Sequence, residues 1–247
     1  MGTTAVVTLG ALKHIHPNGL PAGFRLLELG SQNISGTAAE FVALAGYLGH
    51  RRPDDLAVYG QRNNDLYCKE LFGACGISYE SIDLDAGATL RLDLNTKRVP
   101  WRLRRSFDVV TNFGTTEHVF NQMNCFQFIH DATKVGGAMV HVVPSIGYMW
   151  HCLFKYDPKF FLALAEANGY EILYAGFGPT EPGRVLSGEC DTWANQHLIQ
   201  GQRFDSHLVE FIFRKIAHAP FRPGIDLLCD GYSGRKRFDG RITPLRG

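Results

Sequence analysis

The residues best suited to chemistry stand in two short runs. Residues 24–33, FRLLELGSQN, carry Glu28, Gly30, Ser31 and Gln32, and residues 107–118, FDVVTNFGTTEH, carry Asn112, Phe113, Gly114 and His118. Each is an apolar stretch giving way to a glycine and small polar residues, the composition of a buried parallel strand feeding a turn. Two such turns at the carboxyl ends of neighbouring parallel strands face one crevice, where open α/β sheets bind ligands. Further along, Asp83 and Asp85 close one candidate strand and Asp93 closes another, which adds carboxylate acceptors to the same edge. His118 and His151 add imidazoles, whose ordinary pKa suits proton transfer near neutrality.

The elements that must position these groups follow from periodicity. Strands are predicted over residues 26–29, 56–59, 79–84, 89–94, 107–110, 138–143, 170–175 and 208–215. Helices are predicted over 37–48, 65–74, 117–132 and from the Asp157-Pro158 pair to Gly169. In the first helix Ala38, Phe41, Val42, Ala45 and Leu48 form an apolar stripe, with Ser35 as a candidate N-cap. In the third, Val119, Met123, Phe126 and Ile129 are the inward candidates. Strands alternating with helices argue for a mostly parallel sheet covered on both faces. The last two strands lack an obvious crossover helix and are expected to be antiparallel. Residues 1–23 read as a lead-in over one sheet edge, 24–219 as the domain, and 220–247 as a tail with poor order.

Composition limits the partners. The chain has 247 residues, is 45% hydrophobic and has a formal charge of +1, so it can bury a substantial core but has no global field for nucleic acid or an anionic membrane. Five basic residues between 97 and 105 precede a strand rather than open a helix, and read as a solvated loop. No apolar run approaches the eighteen or so residues of a membrane span, and no signal peptide is visible, so a cytoplasmic protein is expected. The six cysteines form no C-x-x-C pair and read as reduced thiols. His14 and His16 would share a face if they lay on a strand, but they have no acid or cysteine at ligand spacing, and no metal is expected.

The ordered series ELGS at 28–31, IDLD at 82–85, LDLN at 92–95, FDVVTNFGTTEHV at 107–119 and KVGGAMVHVVP at 134–144 resembles class I S-adenosylmethionine-dependent methyltransferases, over roughly residues 24–215. The resemblance implies a doubly wound, mostly parallel, seven-stranded Rossmann-like sheet ending in an antiparallel strand. It implies S-adenosyl-L-methionine as cofactor, S-adenosyl-L-homocysteine as product, and methyl transfer to an oxygen or nitrogen of a small-molecule acceptor. Glu28, Gly30, Ser31 and Gln32 would then meet the methionine moiety and Asp83, with Leu84 beside it, the ribose hydroxyls. Asp93 and Leu94 would meet the adenine edge, and Asn112, Phe113 and Gly114 would close over the methionine side. Asn33 stands where the family usually has a further glycine, and Asp83 follows Gly30 by far more than the 20 or so residues of a compact nucleotide unit, leaving Tyr59 and Gln61 as competitors for the ribose.

On the acceptor side, His118 and His151 are the candidate bases. Residues 145–156, with Tyr148, Trp150 and Tyr156, are the candidate apolar lid, and residues 176–206, with Glu189, Asp191, Trp193 and His197, the opposite wall. A nicotinamide oxidoreductase is disfavoured by the lack of a G-x-G-x-x-G, and a non-catalytic nucleoside-binding module is the other alternative. No nucleic-acid or membrane partner is expected, and the oligomeric state is open.

Overall fold

The computed structural model describes residues 2–62, 65–148, 150–179 and 206–224. Its centre is strand β2 (Arg25–Leu29), in which Leu26, Leu27, Glu28 and Leu29 are all buried, because helices cover both faces. Chain order continues through β3 (Asn33–Ser35), helix α2 (Ala38–Tyr47), α3 (Cys68–Ala74), β4 (Ser78–Asp83) and β5 (Leu90–Arg91). Then come β6 (Phe107–Phe113), α4 (Gln122–Ala132), β7 (Thr133–Pro144), α5 (Pro158–Asn168), β8 (Glu171–Pro179) and β9 (His207–Arg214). The seven-stranded sheet runs β5-β4-β2-β6-β7-β9-β8, parallel through β7, with β9 inserted antiparallel between β7 and β8. This is the Rossmann-like, mostly parallel sheet that the sequence implies. From β2 the chain winds outward through β4 and β5 and returns to β6 on the other side, so the topological switch lies between β2 and β6.

Residue alternation along the strands divides the core. Leu27, Leu29 and Val110 pack with Phe126, Ile129, Phe161, Phe211 and Phe213 beneath α4 and α5. Leu26 and Val109 pack with Leu12, Phe41, Leu44 and Phe72 on the other face. At the amino end of the sheet, Lys134 Nζ lies 2.9 Å from both Asp108 carboxylate oxygens, and Arg25 N donates to the same carboxylate at 2.8 Å. Beside them Gly137 passes so near the β6 backbone that a Cβ there would lie 2.9 Å from Asp108 O. The K-x-GG run is thus a strand-to-strand clamp.

Several expectations are corrected. The first 23 residues do not line a sheet edge: β1 (Gly2–Thr4) pairs in parallel with β3, and Thr4 caps α1 (Ala5–Ile15), whose Ala11, Leu12 and Ile15 are buried against the sheet face. His14 and His16 therefore sit at a helix end, against Tyr174 and Phe24, and do not share a strand face. Residues 53–61 form a 3-10 helix rather than a strand, started by Pro53 at its first turn. Thr37, not Ser35, caps α2, in a capping box with Glu40. The helix expected from 117 is broken into a 3-10 turn (Thr116–His118) and α4, because Asn121 caps α4 by accepting from Asn124 N at 3.1 Å. Met123, expected inward, is exposed. Asp157 and Gly169 do bound α5, the latter at φ 61°. The expectations for residues 180–205, including Glu189, Asp191, Trp193 and His197, and for the tail beyond 224 lie outside the described residues.

Candidate functional site

The carboxyl ends of β2, β4, β5 and β6 enclose a cavity of about 430 Å³, within the range of small-molecule sites. Four loops line it: Ser31, Gln32 and Asn33 after β2; Asp83, Leu84 and Asp85 after β4; Leu92, Asp93, Leu94 and Asn95 after β5; and Gly114, Thr115, His118 and Val119 after β6. Tyr67 completes the wall. Of the site residues expected from the sequence, Ser31, Gln32, Asp83, Leu84, Asp93, Leu94, Gly114 and His118 meet here, with Asp85 beside them.

The β2 loop is built by side chains that turn inward. Gly30 adopts φ 82°, and its amide donates to Ile82 O at 2.8 Å. A Cβ on Gly30 would collide with Gln32 Nε2 and Thr115 Oγ1, so only glycine lets the β2 and β6 loops meet. Gln32 Nε2 donates to Thr115 Oγ1 at 2.9 Å, and Thr115 Oγ1 donates to Leu29 O at 2.7 Å. Gln32 borders the cavity, but its Oε1 is buried and has no hydrogen-bond partner.

Asp83 ties two loops together. One carboxylate oxygen accepts from Ser31 N at 2.8 Å, and the other from Leu84 N at 2.6 Å. Asp93 is held the same way, its Oδ1 accepting from Asn95 N at 2.8 Å, while Asn124 Nδ2 donates to Leu94 O at 2.6 Å. Each carboxylate is oriented by backbone donors and keeps lone pairs for a ligand. Tyr59 packs edge-on against Phe41 and Gln61 is exposed, and neither lines the cavity.

Glu28, Asn112 and Phe113 stand behind the wall. Glu28 is buried on the α1/α3 side, where it accepts from Tyr79 Oη and, at 3.1 Å, from Gln32 N. Burial pushes its carboxyl up to about 7, against the opposing pull of the Tyr79 hydroxyl. Asn112 staples the following turn: Oδ1 accepts from Thr116 N at 3.1 Å, and Nδ2 lies 2.9 Å from Thr116 Oγ1 and 3.3 Å from His141 Nδ1. Phe113 is core.

At the β6 turn, His118 borders the cavity, and its ring centroid lies 5.2 Å from that of His151. Burial, and after it the neighbouring His151, lower the His118 pKa, which favours the neutral imidazole. The loop carrying His151 has Tyr148 at φ 54° and Trp150 at φ 65°, a left-handed backbone that costs energy for such side chains. Trp150 is fully exposed, and Tyr148 lies beside His151. Tyr156 is buried among Phe126, Phe160 and Phe161, and its Oη lies 2.6 Å from Gln122 Oε1 and 2.9 Å from Thr116 Oγ1. It braces the His118 turn from behind rather than facing the cavity.

Sequence reasoning missed Thr115, Tyr67 and Glu117. Thr115 lay inside a quoted run, but its link to Gln32 spans 83 positions and leaves no local signal. Tyr67 enters because Asn33 makes an isolated bridge with it, which brings the start of α3 to the cavity. Glu117 is wholly buried directly beneath His118.

No protein-family model and no curated protein matches the chain. Similar solved structures include a chain in the complex of the Haloferax volcanii Trm112 methyltransferase activator with a methyltransferase (11% identity, 86% of this chain and 91% of that one, TM-score 0.48). Another is a SAM-dependent methyltransferase from Archaeoglobus fulgidus (13%, 85% and 94%, 0.46). A third is the Burkholderia thailandensis 1,6-didemethyltoxoflavin-N1-methyltransferase with bound 1,6-didemethyltoxoflavin and S-adenosylhomocysteine (12%, 86% and 79%, 0.44).

Proposed function

We propose that this chain moves a methyl group from S-adenosylmethionine to an oxygen or nitrogen atom of a small-molecule acceptor. The observation that carries the reading is the cavity at the topological switch, with Asp83 and Asp93 preset on one side and the Gly114–His118 turn on the other. In it, Asp83 accepts from the two ribose hydroxyls, while Asp93 and the Leu94 amide read the adenine edge. Gln32, on the cavity wall, turns its buried and unpartnered Oε1 outward to accept from the amino group of the methionine end. The cofactor supplies a methyl already activated on a sulfonium, so the protein contributes mainly alignment. Glu28 and Asn112 act through the loops they fix, and Gly30 and Gly114 let those loops close.

His118 borders the cavity beside the acceptor, and its ring, whose neutral form burial favours, takes the proton that the acceptor loses. Tyr148 and Trp150 flank the approach beside His151, and Tyr156 holds the turn in place. A dinucleotide is a poorer fit: β3 separates Gly30 from α2, so no helix N-terminus adjoins the loop to receive a pyrophosphate. Among the described residues no helix is long and apolar enough to cross a membrane. Calorimetry should show S-adenosylhomocysteine binding at one site per chain and NAD giving no heat, and labelled methyl should pass to a member of a hydroxyl and amine acceptor panel. NAD binding without S-adenosylhomocysteine binding would reverse the assignment.

A further inference from the structure

Glu117 presents a physical problem that the methyl-transfer reading does not solve. Its side chain has no solvent exposure, and neither carboxylate oxygen has a hydrogen-bond partner. The Leu153 and Phe154 amides that approach it, at 3.0 and 3.1 Å, donate to its backbone oxygen and leave the carboxylate bare. A buried carboxylate without donors is costly unless a cation or a proton answers it. The carboxylate does face something: Glu117 Oε1 is 3.9 Å from His118 Nε2, and one ligand atom each from Glu117, His118 and His151 lie within 4.8 Å of one another.

We propose that Glu117, His118 and His151 bind one divalent transition-metal ion at the rim of the cavity, with its remaining positions open to an oxygen or nitrogen of the acceptor. Two imidazoles and one carboxylate suit a zinc-like ion, whereas magnesium and calcium take oxygen ligands. Three protein ligands leave a position free, as in catalytic rather than structural zinc sites. In a tetrahedral site with bonds of about 2.1 Å, ligand atoms lie about 3.4 Å apart, so the three groups must draw together by about 0.5 to 1.4 Å. His118 and His151 are exposed and can swing, whereas Glu117 is fixed by its burial and by the two amides on its carbonyl. Tyr148 and Trp150, the non-glycine left-handed residues of this loop, set the bend that carries His151 toward its partners. The part of the inference that concerns the acceptor rests on the methyl-transfer reading, with His118 then a metal ligand in place of the base; the metal site itself does not.

The test is titration of the full chain with Co2+, followed by its visible absorption, with Zn2+ as competitor. One equivalent should bind and be displaced by Zn2+, and Glu117→Gln and His151→Ala should each weaken binding at least ~100-fold, more than the loss of an outer-sphere partner costs. His14→Ala should change nothing. His151 is exposed, so its variant folds, and circular dichroism checks the Glu117 variant. No uptake of Co2+, or uptake that both site variants retain, overturns the site. S-adenosylhomocysteine binding is measured on the same samples: if it persists without metal uptake, the metal site alone fails, and if metal binds without it, the methyl-transfer reading alone fails.

Discussion

The two ends of the cavity treat their carboxylates in opposite ways. At the β4 and β5 end, Asp83 and Asp93 accept from backbone amides at 2.6 to 2.8 Å, and these bonds fix the loops as well as the acids. At the β6 end, Glu117 lies deeper than either and has no donor on its carboxylate. The first arrangement is complete without a ligand and presents a preset surface. The second is unfinished, and the unmet cost marks the place where something else binds. Carboxylates on and behind one cavity wall can therefore have opposite effects on stability, according to whether the protein has already satisfied them.

The sharpest break would come at the junction between the two ends. Gly30→Ala forces a Cβ into Gln32 and Thr115 at φ 82°, and should destabilise the chain by about 3 kcal/mol and abolish S-adenosylhomocysteine binding. Thermal unfolding and calorimetry check both. A smaller change at each end should move stability in opposite directions. Asp83→Asn removes a charged acceptor from Ser31 N and Leu84 N and should cost about 1–3 kcal/mol, with a 10- to 100-fold loss of S-adenosylhomocysteine affinity. Glu117→Gln removes an unanswered charge and, in metal-free protein at pH 8, should stabilise by about 1–2 kcal/mol, a rise in Tm of a few degrees. If both variants lose stability, the contrast fails.

The smallest effect concerns Glu28, a buried acid with donors but little solvation. Its carboxyl is raised to about 7 from an ordinary 4.5, chiefly by burial. The folded state thus holds the proton more tightly than the unfolded chain. Its contribution to stability is full below about 4.5 and is lost as pH rises through about 7. Glu28→Gln should flatten the fall in Tm between pH 5 and 8, measured by calorimetric scans across that range. An unchanged slope would place the titration elsewhere.

Much of this architecture was legible because it depends on local pattern. The buried run at β2, the Asp157 cap with Gly169 at the end of α5, and the antiparallel β8 and β9 each follow from a few neighbouring residues. The β2 loop was legible only in part. Glycine at position 30 is explained, but Asn33 belongs to β3, paired with a strand at the far amino terminus. The Gly2 backbone approaches Asn33 so closely that a Cβ there would lie 2.6 Å from its carbonyl oxygen, a tertiary contact with no trace in either segment. Residues 56–59 read as a strand by composition, and Pro53 together with packing on α2 overrides that reading. Glu117 looked like a helix-opening residue in the sequence. Its burial depends on the return of residues 151–154, which no periodicity announces.

The central claim is the location of the nucleoside. Amide hydrogen exchange of the full chain, with and without S-adenosylhomocysteine, reads that location directly, because a bound ligand slows local opening. Protection should concentrate in residues 30–33, 83–85, 92–95 and 113–119, and leave the Lys134–Asp108 clamp at the other end of the sheet unchanged. Protection confined to other segments, or none at saturating ligand, would contradict the account.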